Sequence, residues 1–316
     1  MLVSIIIVNY NTAKHLRECL YSIDLYLNSV EKEIIVADNN SPEREIEKIA
    51  EEYKNVKFIF RRTNDGFGTG CNDAVNVSKG KYLLFLNPDI RLIDNSIKIL
   101  IDNIENSEDS GVYSGLLTDK NKNPIYCYNK FPDLLWEFYH FIGFGYERQI
   151  EKLLQRKEIS EGKEFSTDWF HGAFLLIKKI DFLSVGGFDE NYFMYYEDVE
   201  LCYRVIKKLN KKNICFPEVR IYHHTQSSLE SEKTDDVYIF HMHRGKLIFI
   251  KNYNLLKKNS IWLLGLISVI LRIILLPLWT KYKGKRKFKF YQLSKVLKLY
   301  INKEYLNKSK YEYINK

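Results

Sequence analysis

The sequence predicts an α/β protein: a parallel sheet with helices on both faces, followed by a helical C-terminal extension. Three observations carry this expectation. Over the N-terminal third, short runs rich in Ile, Val and Leu alternate with amphipathic segments, the pattern of a sheet covered on both faces. Polar residues collect where the apolar runs end, which is where open α/β sheets bind ligands. Near the C-terminus an almost wholly apolar segment, Ile261–Trp279, is followed at once by a basic one.

Val3–Asn11 (VSIIIVNYN) is expected to be a buried strand ending in a polar turn. Ala13–Leu27 then sets Leu16, Leu20, Ile23 and Leu27 on one face of a helix. Glu33–Ser41 is the second strand, ending at Asp38 and two amides, and Pro42 opens the next helix, where its missing N–H costs nothing. Val56–Phe60 and Lys81–Ile90 are the third and fourth strands, and helical periodicity resumes from Asn95 to Ile104. Between the last two strands, Asn64–Asn72 (NDGFGTGCN) carries Gly66, Gly68 and Gly70, which permit positive φ and close approach to a ligand before a helix expected near Asn72. A dinucleotide fingerprint is the rival reading. The spacing here is G-x-G-x-G, with Cys71 breaking the G-x-G-x-x-G pattern, and it follows the third strand instead of the first. A tight connection with no ligand is the plain alternative.

At 316 residues the chain can hold one large domain with additions, or two domains. Cys19, Cys71, Cys127, Cys202 and Cys215 form no CxxC pair, so they read as reduced thiols of a cytoplasmic protein, not as a disulfide framework. The net charge of +8 is concentrated: Thr280–Lys303 holds nine Lys/Arg and no acid. A nucleic-acid-binding surface would spread its basic residues over the fold, so no nucleic-acid partner is expected. An apolar segment followed by a polybasic one reads instead as attachment to an anionic membrane surface. The 19 residues of Ile261–Trp279 barely reach across a bilayer, and Arg272 lies past the middle, at a cost of about 2.5–3.5 kcal/mol for a crossing. Gly265, Ser268 and Arg272 make one small or polar stripe on the helix. Lys251, Lys257 and Lys258 precede it, so charge does not favour a crossing. A helix lying in the cytoplasmic interface is the expectation, with a buried helix of a larger fold as the alternative.

Gly186–Arg204 (GGFDENYFMYYEDVELCYR) places adjacent carboxylates, Glu197 and Asp198, at the start of an expected helix. Tyr192, Phe193, Tyr195 and Tyr196 precede them and could exclude water, raising carboxylate basicity. Glu200 and Arg204, at i and i+4, would anchor that turn. Such a pair suits proton abstraction from a hydroxyl. A solvated helix start with acids at its positive end is the plain alternative.

With these pieces in order, the chain resembles the inverting family 2 glycosyltransferases of GT-A fold, in their rhamnosyltransferase-like branch. The resemblance rests on VSIIIVNYN, VADNNS, NDGFGTGCN, LLFLNPDI, WFHGAFLLIKK, GGFDENYFMYYEDVELCYR and IYHHTQSS, which occur in family order across Val3–Ser228. It implies a GT-A nucleotide-diphospho-sugar transferase fold, a Rossmann-like mixed sheet, over residues 1–230. A helical membrane-associating extension would occupy residues 231–316. It implies that Asp38 contacts the base of a pyrimidine nucleoside diphosphate sugar, with Asn9, Tyr10 and Asn11 nearby and Asn64, Gly66, Asn87 and Gly172 completing the donor site. Asp89 would hold Mg²⁺ or Mn²⁺, although the family's DxD is here Asn87-Pro88-Asp89 with one carboxylate. His223 would assist as a metal ligand, with His224 as the alternative. Asp198 would be the general base and Glu197 would orient acceptor or base, while His171 has no assigned role. The resemblance thus implies an inverting transfer from dTDP-rhamnose or a UDP-sugar to a saccharide or polyprenyl-diphosphate-linked saccharide, at the cytoplasmic face of the membrane. Two other function classes compete with it. One is an inactive membrane-anchored nucleotide-binding or scaffold protein, which loss of Asp89 or Asp198 would have favoured. The other is a dinucleotide-dependent oxidoreductase, which the glycine spacing disfavours. The segment Leu134–Lys157 looks helical and carries no assigned role.

Overall fold

A computed structural model describes residues 2–142, 146–224, 232–278, 284–302 and 306, without the side chains of 140–142, 146 and 232–236. Ser228 of the last motif, Trp279, Lys281 and Lys283 therefore lie outside the described residues. In chain order the elements are β1 (Val3–Asn9), α1 (Ala13–Tyr26), β2 (Lys32–Asp38), α2 (Glu45–Glu52), β3 (Val56–Phe60) and α3 (Phe67–Asn76). Then come β4 (Tyr82–Leu86), β5 (Ile90–Leu92), α4 (Ile97–Asn106), β6 (Ser110–Thr118), β7 (Tyr128–Asn129), α5 (Leu134–Ile142), α6 (Tyr146–Leu154) and α7 (Lys157–Glu161). The chain continues through β8 (Phe165–Thr167), β9 (Trp169–Phe170), β10 (Phe174–Lys178), α8 (Lys179–Val185), α9 (Glu197–Leu209) and β11 (Lys212–His223). It closes with α10 (Glu232–Phe249), α11 (Leu255–Leu275) and α12 (Arg286–Ile301).

The chain divides into two compact units. The first, residues 1–131, 151–190 and 197–227, is built on a mixed sheet in the order β3-β2-β1-β4-β10-β6-β11-β5, with β8 beside β11. β1, β2, β3 and β4 are parallel, with Asn9 opposite Asp38 in register. β10 runs antiparallel to both β4 and β6. The strands are Ile-, Val- and Leu-rich because both faces are covered: every residue of β1, β4 and β6 is buried.

Three local expectations change. The expected strand Lys81–Ile90 breaks into β4 and β5 at Asn87-Pro88-Asp89, because Pro88 has no N–H for a ladder. The helix expected near Asn72 begins at Phe67, so Gly68 and Gly70 are helical. Only Gly66, its N-cap at φ 97°, uses glycine's freedom there. Pro42 precedes a turn, and α2 starts at Glu45. By contrast, Glu200 and Arg204 pair as expected: Arg204 Nε and Nη2 meet the Glu200 carboxylate at 2.6–2.8 Å. Arg204 also donates to the carbonyls of Val185 and Gly187 at 2.7 Å each, tying α9 to the end of α8.

The second unit, residues 132–150, 191–196 and 228–316, is helical. α5, from the segment with no expected role, contributes Glu137, whose carboxylate accepts from Lys246 of α10 at 2.7 Å in a buried ion pair. The aromatic run also belongs here. Phe193 lies 5.0 Å from His241, Tyr195 5.0 Å from Tyr238, and Tyr196 6.0 Å from Phe249, all ring to ring. Tyr195 and Tyr196 sit in the left-handed region at φ 65° and 73°, a strained state for bulky residues that costs about 1–3 kcal/mol each. Gly245 of α10 admits this turn, since a Cβ there would lie 2.7 Å from the Tyr195 carbonyl oxygen. On α11, Ile261, Gly265, Ser268 and Val269 are buried, so the small-residue stripe is the packed face. Leu263, Ile267, Ile270, Leu271 and Ile274 are exposed. Leu255–Leu278 contains an 18-residue stretch with a mean hydropathy of 2.5 and is, by length and composition, long and apolar enough to cross a membrane.

Arg204→Ala should strand the buried Glu200 carboxylate and destabilise the α/β unit by about 3–5 kcal/mol, the usual consequence of breaking a buried pair. Urea denaturation followed by circular dichroism measures it. A loss under about 1 kcal/mol would show that solvent screens the pair.

Candidate active site

Polar side chains gather along the sheet edge where β1, β2 and β4 end and β10 begins. At the β1–β2 corner, Asp38 is 3% exposed and its carboxylate is fully engaged. Asn9 Nδ2 and Ser41 Oγ donate to Oδ1 at 2.7 and 2.6 Å, and the Ser41 N–H donates to Oδ2 at 2.9 Å. Thr12 Oγ1 holds Asn9 in place through a 2.7 Å bond to its Oδ1. Asn9 and Asp38 thus form the floor of the corner. Tyr10 and Asn11 form its open rim, with Asn11 at φ 54° and its N–H on Ser41 Oγ.

Beside this corner, Asn64 Oδ1 accepts from the Gly66 N–H and from Asn39 Nδ2, both at 3.2 Å. Arg61 donates to Asn39 Oδ1 at 2.6 Å, Asp73 at 2.8 Å and Asp65 at 3.1 Å. Arg61 and Asn39 were not among the sequence candidates. Both directly follow a strand's carboxyl end, the signal that singled out Asn9 and Asp38.

The turn that separates β4 from β5 carries Asp89. Its Oδ1 lies 3.3 Å from His223 Nε2, and the His224 N–H donates to its carbonyl at 3.0 Å. Of the two candidate histidines, His223 is therefore the one whose ring meets the carboxylate. The His224 ring lies against His15, at 4.6 Å between centroids. His171 sits 5.7 Å from His223, ring to ring. Burial, and then the His223 ring, lower its pKa to about 4. A carboxylate oxygen and an imidazole nitrogen 3.3 Å apart can share one cation. Among the described residues no third His, Cys, Asp or Glu completes a cluster. Diphosphate oxygens and water would have to supply the other ligands, as is usual for Mg²⁺ at nucleotides, and this donor set suits Mn²⁺ equally.

Asp198 lies in the first turn of α9 with both carboxylate oxygens held. The Gly172 N–H donates to Oδ2 at 2.7 Å and the Val199 N–H to Oδ1 at 2.8 Å. Burial pushes its pKa up to about 6, although these hydrogen bonds pull the other way. Glu197 is driven well above the ordinary carboxylate range, first by burial and then by the adjacent Asp198, and its Oε2 has no hydrogen-bond partner among the described residues. The two acids are thus differentiated: Asp198 is raised to about 6, and Glu197 well above the ordinary carboxylate range. Within this unit the Phe67 and Phe188 rings border the same glycines as Asp198 and Glu197. A Cβ on Gly172 would touch Asp198 and Phe67 at 3.4–3.5 Å, and one on Gly68 would touch Phe188 and approach Glu197.

His171, Gly172 and Ala173 connect these parts. The His171 ring lies tilted toward His223, Gly172 holds Asp198, and the Ala173 carbonyl accepts the Asn87 N–H at 3.0 Å. Trp169, half-buried, donates its indole N–H to the Lys130 carbonyl, and Phe170 is core. The arrangement offers a base of near-neutral pKa close to a carboxylate–imidazole pair, equipment for taking a proton from a hydroxyl beside a phosphorylated group.

The family described as Glycosyl transferase family 2 matches residues 4–171. An N-acetylglucosaminyl-diphospho-decaprenol L-rhamnosyltransferase of Mycobacterium tuberculosis is 28% identical over 236 residues, covering 71% of this chain and 76% of that protein. Rhamnosyltransferase WbbL of Escherichia coli is 32% identical over 212 residues, covering 65% and 76%. Among solved structures, a mannosyltransferase of Pyrobaculum calidifontis in complex with GDP-Man and Mn²⁺ aligns with a TM-score of 0.58 at 13% identity, covering 94% of this chain and 86% of that one. S. aureus TarS 1–349 in complex with UDP-GlcNAc aligns with a TM-score of 0.53 at 17% identity, covering 99% and 90%. The mixed sheet is accordingly of GT-A type.

Because burial and then Asp198 raise the Glu197 pKa in the fold well above its ordinary value of 4.5, its burial weakens stability as pH rises above about 4.5. Glu197→Gln should therefore raise the melting temperature at neutral pH, with a gain that fades to nothing as pH falls below about 4.5. Melting curves of both proteins between pH 4 and 8 test this. A gain that does not depend on pH would contradict it.

Proposed function

The chain belongs to glycosyl transferase family 2, rhamnosyltransferase-like, and on that premise we propose that it is an inverting transferase of surface-polysaccharide synthesis. Its donor would be dTDP-rhamnose or a UDP-sugar. Its acceptor would be a saccharide or a polyprenyl-diphosphate-linked saccharide, in keeping with the acceptor named for the mycobacterial relative. The observation that carries this reading is the tripeptide His171–Ala173, which touches the Asp89–His223 turn, through His223 and Asn87, and Asp198 alike. With both Asp89 and Asp198 present in this geometry, an inactive scaffold is not favoured.

In the proposed reaction the base and ribose enter at the β1–β2 corner, where Asp38 would contact the base with Asn9, Tyr10 and Asn11 beside it. Asn64, Gly66, Asn87 and Gly172 border the sugar diphosphate. Asp89 and His223 would hold Mg²⁺ or Mn²⁺, which when bound offsets the charge of the leaving diphosphate. Asp198 accepts the proton of the acceptor hydroxyl while that oxygen forms its bond to the anomeric carbon. The bond from that carbon to the diphosphate breaks on the opposite side, so configuration inverts. The N–H groups of Gly172 and Val199 fix the Asp198 oxygens in position, and Glu197 would orient the acceptor or the base. The exposed face of α11, with Lys285, Arg286, Lys287 and Lys289 following, would seat the protein on the cytoplasmic face of the membrane as a peripheral or monotopic enzyme.

Asp198→Asn should retain donor binding but lower transfer by about 10²–10⁴-fold, the usual range for a general base. The wild-type rate should fall with slope one below about pH 6 as Asp198 takes up its proton. Transfer assays across pH 5–8 measure both, and near-normal transfer by the variant would remove Asp198 from the mechanism.

For the cation, Asp89→Ala should abolish the Mn²⁺-dependent part of the thermal shift induced by UDP or dTDP, whereas His223→Ala should weaken it. Activity undiminished in excess EDTA would refute a cation at this pair.

A further inference from the structure

The helical unit contains a cleft unrelated to the chemistry above. It has a volume of about 910 Å³ and lies where the turn following α10 meets α11 and α12. That size is typical of clefts that enclose small ligands, roughly 300–1,000 Å³. Its walls are Leu247, Ile250, Trp262, Leu263, Leu299 and Ile301. Trp262, Leu263 and Ile301 are 36%, 49% and 70% exposed, so the wall continues into the outward apolar face of α11. Two cations also line the cleft, Lys251 and Lys258, and neither has a carboxylate partner among the described residues. In this unit the buried Lys246 does have one, Glu137. An apolar trough beside two ammonium groups, neither paired with a carboxylate among the described residues, complements a molecule with a hydrocarbon chain at one end and a phosphate at the other.

We propose that this cleft binds one anionic phospholipid of the membrane leaflet, its acyl chain between α11 and α12 and its phosphate on Lys251 and Lys258. A leaflet phospholipid is the favoured occupant because the cleft wall runs without interruption into the exposed apolar face of α11. A lipid packed against that face reaches the cleft by sliding one chain inward. The site uses the membrane setting proposed above but not the transfer reaction. It would turn a loose electrostatic attachment into a saturable one with a preferred headgroup charge.

The test is native mass spectrometry of the full-length protein released from detergent with one of two probes of identical acyl chains, phosphatidylglycerol or phosphatidylcholine. One phosphatidylglycerol should be retained about tenfold more strongly than phosphatidylcholine. Lys251→Ala and Lys258→Ala should each reduce that retention about fivefold. Leu263→Trp, at an exposed position on the wall, should fill the trough and displace either lipid. None of these variants should alter the thermal shift given by UDP or dTDP, which shows that they fold. Asp198→Asn should retain lipid like the wild type, so failure of the transferase reading and failure of this one are separable. Equal retention of the two lipids, or indifference to both lysine substitutions, would overturn the proposal. So would displacement of phosphatidylglycerol by an equimolar polyprenyl diphosphate, which would make the cleft part of an acceptor site instead.

Discussion

The whole site depends on one reversal in the sheet. β10 runs antiparallel between β4 and β6, so its amino end lies at the same edge as the carboxyl end of β4. A parallel strand in that place would deliver its start to the far edge. Because β10 is reversed, the residues leading into it, His171 to Ala173, arrive beside the Asn87–Asp89 turn and the start of α9. Their backbone then does what no local motif could do: the Gly172 N–H holds Asp198, and the Ala173 carbonyl holds Asn87. Gly172 suits this place because a side chain there would press on Asp198 and Phe67.

That placement has an energetic consequence. Two carboxyl groups share the buried first turn of α9, and burial opposes ionisation of both. Two N–H donors and the positive end of the helix favour the charge on Asp198, whereas Glu197 Oε2 lacks a hydrogen-bond partner among the described residues. The same environment that raises the basicity of Asp198 therefore weakens the fold around it. Arg204 counters this from the next turn by pairing with Glu200 and gripping the end of α8. Reactivity and anchoring lie on successive turns of one helix.

The helical unit follows different rules. Its interior holds a buried Lys246–Glu137 pair and a strained aromatic turn at Tyr195–Tyr196, features that specify one packing more than they add stability. Its outside is apolar along α11. That face is the one the proposed membrane attachment would use.

By itself the sequence determined what depends on neighbours along the chain. Strand and helix periods located β1, β2, β3 and α1, because alternation and 3.6-residue spacing are local. The Glu200–Arg204 pair was legible because i and i+4 meet on any helix, and Glu197 and Asp198 were legible as the acids that open one. Pairing between distant segments was decided only in the tertiary structure. Neither the reversal of β10 nor the choice of His223 over His224 leaves a periodic trace, and nothing local to Arg61 names Asn39, Asp65 and Asp73 as its partners. The aromatic run shows the limit most plainly. Its nearness in sequence to Asp198 gave no hint that Phe193, Tyr195 and Tyr196 pack against α10. Adjacency in the chain fixes where a backbone passes. Which apolar surface a ring then covers depends on the elements that fold against it, and those lie far away in sequence.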